Sequence, residues 1–264
     1  TVSYVVLEDG KERASLAPDA KLSVGSSFKL ALLNAVVDEI RAGRRRWTDV
    51  VPLRNAWKSL PSGILQNWPE HSALTLETYA TLMISQSDNT AADAIHAVVG
   101  ERALGPYRDD NDPFLTTLQM FKLKSAGAEQ LRAHYRAAVS SGGRRYIIDQ
   151  LDKMPRPELS ALQLEPALLD IEWHYSVRRL CALLERIRTL PLFEVNPGLA
   201  ARAQWKSIAY KGGSDAGVLN MTTSLVSNDG RRFCISATEN DPNKAIDELA
   251  FSAAYTGALL QLAR

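Results

Sequence analysis

The first apolar positions come in alternation. Val2-Ser3-Tyr4-Val5-Val6-Leu7 reads as a strand running to Glu8, and a second strand-like run extends from Glu12 to Leu16. Asp9-Gly10 joins them. Asp-Gly between two such runs signals a hairpin, because a two-residue hairpin turn needs residues that tolerate positive φ. The period then changes. Leu33, Val36, Val37 and Ile40 recur at helical spacing, which predicts a helix from about Ser26 to Ala42. Helical patterning continues to about Leu190. Alternation returns over Lys206 to Lys211, Leu219 to Ser227 and Arg232 to Thr238, with Asn228-Asp229-Gly230 as a second hairpin turn. A closing helix is expected with Asp241 as N-cap and Pro242 at the first helical position. Its apolar face is expected to hold Ile246, Leu249, Ala253 and Leu260.

Strands at both ends with helices between them mean that one sheet is assembled from distant segments. The expected class is α/β in the α+β sense: a five-stranded antiparallel sheet flanked by helices, plus a mainly α-helical subdomain. The expected division is a discontinuous α/β subdomain from residues 1–24 and 203–264, and an all-α subdomain from residues 25–202. Residues 100 to 170 are the least legible, with Pro106, Pro113, Pro155, Pro157, Pro166 and the Gly142-Gly143 pair.

Composition narrows the function. The chain has 264 residues, of which 45% are apolar, enough for a sizeable core. Lys plus Arg is 31 and Asp plus Glu is 30, a balance that predicts no general attraction to nucleic acid or to an anionic membrane. The densest basic run, Arg44-Arg45-Arg46, follows Gly43 at an expected helix end and reads as a solvated turn. No apolar run reaches the ~18 residues a membrane span needs. Cys181 and Cys234 make no CxxC motif, and two buried small hydrophobes are expected in preference to a disulfide. His71, His96, His134 and His174 form no metal-binding pattern, and neither a Gly-x-Ser-x-Gly elbow nor a Walker A motif occurs. No metal and no cofactor are expected. The chain opens directly on a strand; a periplasmic or secreted location, with a leader or upstream segment removed, is the favoured expectation.

Three segments carry candidate chemistry. In Ser23-Val24-Gly25-Ser26-Ser27-Phe28-Lys29, Ser26 and Lys29 share one face of the expected helix, on the buried stripe with Leu33 and Ile40. Burial disfavours an ammonium, so the Lys29 pKa is expected to fall, and a neutral amine beside a hydroxyl makes serine a nucleophile. The helix N-terminus there suits an oxyanion. Taken alone, the pair reads more simply as an N-cap serine and a lysine reaching water. Ser87-Asp88-Asn89 connects two helical stretches, where a hydroxyl can relay a proton and an amide can hold a substrate; an ordinary helix cap is the simpler reading. Tyr210-Lys211-Gly212-Gly213-Ser214 ends a late strand. Its glycines let a substrate lie against the strand edge, and Lys211 offers charge to a carboxylate; a loosely packed edge is the plainer alternative.

Together and in this order, these segments resemble the serine β-lactamase and penicillin-binding protein family, class A most closely. The resemblance implies that Ser26 forms an acyl-enzyme, that Lys29 takes its proton, and that Ser87, assisted by Lys211, relays it to the leaving group. It further implies that Asn89, Gly212, Gly213 and Ser214 bind substrate, and that the backbone N–H groups of Ser26 and Ser214 form the oxyanion hole. A small-molecule substrate (a β-lactam, an ester or a peptidoglycan-like group) and a monomer are expected. Three departures qualify this. The third motif reads Lys211-Gly212-Gly213, without the family's hydroxyl for a β-lactam carboxylate, for which Ser214 is a candidate replacement. Pro157-Glu158-Leu159 resembles the end of the class A loop, but in that register Arg156 stands in place of the deacylating glutamate and Ser160 in place of an asparagine. The stretch from Ser87 to Arg156 is also far longer than class A allows, and the N-terminal helix that usually precedes the first class A strand is lacking. These departures resemble the class A-related serine hydrolases found beside clavam biosynthesis, as do Ile171-Glu172-Trp173 and a Ser176 N-cap. That branch implies ester cleavage and weak β-lactamase activity. The alternative is a covalent sensor or penicillin-binding protein without efficient turnover.

Overall fold

The computed structural model describes residues 1–163 and 166–263. The chain divides into two compact units, Thr1–Asn34 with Glu165–Arg264, and Ala35–Leu164. In chain order the principal strands are β1 (Val2–Glu8), β2 (Lys11–Leu16), β3 (Ser207–Asp215), β4 (Val218–Val226) and β5 (Arg232–Asn240). The helices are α1 (Lys29–Arg41), α2 (Leu76–Ser85), α3 (Asn89–Leu104), α4 (Thr117–Lys124), α5 (Glu129–Ala137), α6 (Ser141–Lys153), α7 (Val177–Glu185) and α8 (Glu248–Leu262).

In the first unit the strands form one five-stranded antiparallel sheet in the order β2-β1-β5-β4-β3. The opening hairpin forms where Asp9-Gly10 predicts it, with φ of +47° and +77° at the two turn residues. Side chains alternate across the sheet. Phe233 and Ile235 of β5 pack with Met221, Leu225 and Trp205 against Tyr255 and Leu259 of α8, whereas Cys234 joins Val5 against Val177 and Cys181 of α7. The two helices therefore cover opposite faces of the sheet. Ser176 caps α7 by accepting from the Arg179 amide.

Two expectations are corrected here. Cys181 and Cys234 are buried, but they form a disulfide with Cα atoms 5.9 Å apart. Alternation turns Cys234 toward the face that α7 covers, a juxtaposition hidden by a sequence separation of 53. The closing helix begins later than expected. Asp247 is its N-cap, accepting from the Ala250 amide, while Asp241 holds only the turn to Asn243. Its buried side is also different: Leu249 is 85% exposed and Leu260 47%, while Tyr255 and Leu259 point inward. Apolar residues lie nearly all round this helix, so periodicity alone could not choose a face.

The second unit is mainly helical. Val50–Pro52 pairs with Ala73–Thr75 before α2, and helices α2 to α6 follow. Side chains cap four helix starts: Thr75 on α2, Asp88 on α3, Thr116 with Gln119 as a capping box on α4, and Ser140 on α6. Arg44 makes two bonds to Glu39, at 2.8 and 2.7 Å, and Arg46 pairs with Asp49, so two of the three arginines of this turn have a carboxylate partner close by. Among the described residues no helix is long and apolar enough to cross a membrane.

Candidate active site

Ser26 lies in a short 3-10 turn, Gly25–Phe28, that precedes α1, rather than in the α-helix expected from Ser26 onward. Three contacts within the first unit hold this turn. Phe28 stacks on Trp173 with ring centroids 3.6 Å apart, and the Val24 amide donates to the Trp173 carbonyl. Ser27 Oγ donates to Asn220 Oδ1 at 2.5 Å. Asn220 is anchored in turn through its Nδ2 to Thr238 Oγ1 at 2.8 Å and to the Ala237 carbonyl at 3.0 Å. The third contact is backbone on backbone with β3. A Cβ on Gly25, whose φ is +49°, would fall 2.9 Å from the Ser214 nitrogen, and one on Gly213 would fall 2.6 Å from the Ser26 nitrogen. Glycine at both positions lets the turn and the strand touch, which brings the Ser26 and Ser214 amides together.

Lys29 is 0% exposed, and its Nζ donates to Ser26 Oγ at 3.0 Å. Lys211 on β3 is also buried, at 2% exposed, and its Nζ bonds the Gly212 carbonyl. Burial pushes the Lys211 pKa down to about 7, so the side chain changes charge near neutral pH. Ser214 is exposed on the same strand. The first unit thus brings together Ser26, Lys29, Gly213 and Ser214, with Lys211 and Gly212 on the same strand.

Ser87 and Asn89 belong to the second unit. Ser87 is held at φ +56°, a conformation that costs a non-glycine residue about 1 kcal/mol and persists only where neighbours enforce it. The enforcing segment runs from Leu60 to Leu65. Asp88 is buried and accepts from the amides of Ile64, Leu65 and Ala91 at 2.7, 2.9 and 2.8 Å. Ser62 Oγ donates to the Ser87 carbonyl, and Asn89 donates through its amide to Ser62 and through Nδ2 to Leu60. Gly63 lies so close that a Cβ would fall 2.2 Å from Asp88 Cγ. Sequence reasoning overlooked this support; Pro61-Ser62-Gly63 is the turn-forming run that would have signalled it. Arg156 is exposed and borders, with Trp57 and Lys122, a cavity of about 700 Å³ in the second unit. Ser160 is exposed in the 3-10 turn Leu159–Ala161. Among the described residues no cluster of His, Cys, Asp or Glu could hold a metal ion.

The sequence model of a family described as "Beta-lactamase enzyme family" matches residues 1–134, just over half of the chain. None of the curated proteins matches. Solved structures do. A beta-lactamase from Sphaerobacter thermophilus DSM 20745 is 21% identical, with a TM-score of 0.67 over 100% of this chain and 91% of that one. An ancestral class A beta-lactamase is 17% identical, with a TM-score of 0.65 over 100% and 94%. The protein PBP-A is 17% identical, with a TM-score of 0.63 over 99% and 90%. At these identities the likeness is one of fold, and it is the fold expected from the order of strands and helices.

Proposed function

The chain belongs to the beta-lactamase enzyme family, and from that premise we propose that it is a serine hydrolase that opens a β-lactam or an ester through an acyl-enzyme on Ser26. The observation that carries this reading is the 3.0 Å contact between the buried Lys29 Nζ and Ser26 Oγ, in a turn pressed against β3. In the proposed cycle Ser26 Oγ attacks the carbonyl and Lys29 Nζ accepts its proton. Negative charge gathers on the carbonyl oxygen between the Ser26 and Ser214 amides, each worth about 10²–10³ in rate. Ser87 passes a proton to the leaving group with help from Lys211, and Asn89 holds a substrate amide. Water then frees the acyl group. The strained backbone of Ser87 supports its assignment, since strain of this kind collects at functional sites. A monomer is the proposed state. The disulfide supports a periplasmic or secreted location, because disulfides persist in oxidising compartments.

Slow deacylation is the second reading. It rests on Arg156, a cation in the register where class A carries its water-activating carboxylate. Incubation with a cephalosporin bearing a 3′-acetoxy ester, followed by intact mass and released products, separates the outcomes. Acetate release with an intact ring indicates an esterase, and repeated ring opening a β-lactamase. A persistent adduct on Ser26 indicates a covalent sensor. Undiminished hydrolysis by Ser26→Ala sinks all three.

A further inference from the structure

The start of β3 borders a cavity of about 410 Å³, within the size range that holds small molecules. It lies wholly in the first unit and shares no residue with the site around Ser26. The 3-10 turn Pro191–Glu194, the segment from Arg202 to Lys206 and the first residues of β3 wall it.

Its polar lining is weighted toward donors and positive charge. Arg188, Arg202 and Lys206 line it, against one carboxylate, Glu194. Glu194 is exposed, so water and salt screen its repulsion. Arg188 is half-buried and leans on Glu185, 3.3 Å away. Arg202 donates to the Glu194 carbonyl, and among the described residues neither Arg202 nor Lys206 has a carboxylate within ion-pair distance.

A further donor comes from the wall itself. Trp205 is 5% exposed, and its Nε1 is buried without a hydrogen-bond partner. An indole N–H can only donate, and buried donors ordinarily have an acceptor. The core makes no use of that nitrogen. The ring packs edge-on against Phe233, with centroids 5.9 Å apart, beside Met221 and Tyr255, and a phenylalanine would serve the same packing. Phe193 and Ile208 add an apolar lining that a bare ion would leave uncovered. Donors, cations and apolar side chains in one cavity match an acid head group on an apolar body. Such a head brings acceptors and negative charge, and its hydrogen bonds to cations are the strong ones.

We propose that this cavity is a second ligand site, separate from Ser26, which takes a small organic oxyanion with its head on Arg202, Lys206 and the Trp205 N–H and its body against Phe193 and Ile208. Carboxylates and phosphate monoesters share that chemistry. The inference goes beyond the hydrolase reading and does not depend on it.

The test is calorimetry of the native chain with phenyl phosphate, benzoate, inorganic phosphate and benzyl alcohol. Phenyl phosphate or benzoate should bind at least tenfold more tightly than inorganic phosphate or benzyl alcohol, and the tighter of the two identifies the head group. Arg202→Gln combined with Lys206→Gln changes two exposed side chains and should weaken that ligand more than tenfold. Trp205→Phe, in a chain whose urea melt remains cooperative, should weaken it about tenfold. No binding of either acid by the native chain, or unchanged binding in the Arg202→Gln, Lys206→Gln chain, overturns the site. Unchanged binding in folded Trp205→Phe overturns the role of the indole donor. Inorganic phosphate binding as tightly as the aryl acids overturns the apolar half of the site. None of these results bears on acylation, which Ser26→Ala tests separately.

Discussion

Replacing Gly213 by alanine tests whether the nucleophile's turn is built on β3. The added Cβ would lie 2.1 Å from the Val24 carbonyl oxygen and 2.6 Å from the nitrogens of Ser26 and Ser27. All three neighbours are backbone atoms, so no flexible side chain can move aside. Ordinary contact begins at 3.4 Å, so the strand and the turn must part by roughly 1 Å in a close-packed region. Overpacking of this kind costs about 1–3 kcal/mol of stability. A displacement of about 1 Å at a reacting group costs about 100-fold in rate. Gly257→Ala in α8 is the control: a Cβ there meets nothing within 4 Å, and the change should stabilise the helix by about 0.5–1 kcal/mol. The assay is the acylation rate of Ser26, measured where urea melts show both variants fully folded. Gly213→Ala acylating at the native rate would refute the claim that turn and strand share one contact surface.

The disulfide and Lys211 each carry a further prediction. Breaking the disulfide, by reductant or by Cys181→Ala with Cys234→Ala, opens a loop of 53 residues and should cost about 4 kcal/mol on the chain-entropy account; a loss under about 1 kcal/mol in urea melts contradicts that account for this bond. For Lys211, burial sets the folded pKa at about 7, below the ordinary lysine value of 10.5. Between those values the unfolded chain binds more protons, so the group makes stability rise with pH. Relative to Lys211→Met, the native chain should gain about 2 kcal/mol between pH 7 and pH 9, and parallel pH profiles for the two chains would contradict a buried, titrating lysine.

Much of the fold was legible because the decisive signals are local. The alternation of Val2 to Leu7 and the Asp9-Gly10 turn need no knowledge of distant contacts. Most of the errors come from contacts between distant segments. The alternating run was expected over Lys206 to Lys211, yet β3 runs to Asp215 because Gly213 and Ser214 pair with Asn220 and Leu219 of β4. The α-helix expected from Ser26 starts only at Lys29, because Ser27 and Phe28 are drawn to Asn220 and Trp173. Asp241-Pro242 has the composition of a helix start, but Asp247 supplies the cap instead. The candidate chemistry was legible for a different reason. Ser26 with Lys29, and Ser87 with Asn89, lie within one turn of one another, so backbone geometry alone fixes their neighbourhood. Their supports, Asn220, Trp173 and the Leu60–Leu65 segment, lie in other parts of the chain, and no local pattern links them to the residues they hold.

Adjacent glycines in the third motif show how a strand can give opposite meanings to neighbouring residues. Read along the chain, Lys211-Gly212-Gly213 looks like a binding motif that has lost its hydroxyl. Across the strand, the two glycines face opposite sides and answer to different neighbours. Gly213 clears the way for the backbone of Val24 to Ser27, and Gly212 clears the way for the Tyr210 phenol. A Cβ at 212 would require the Tyr210 tip to move, so glycine at 212 and the present placement of Tyr210 go together.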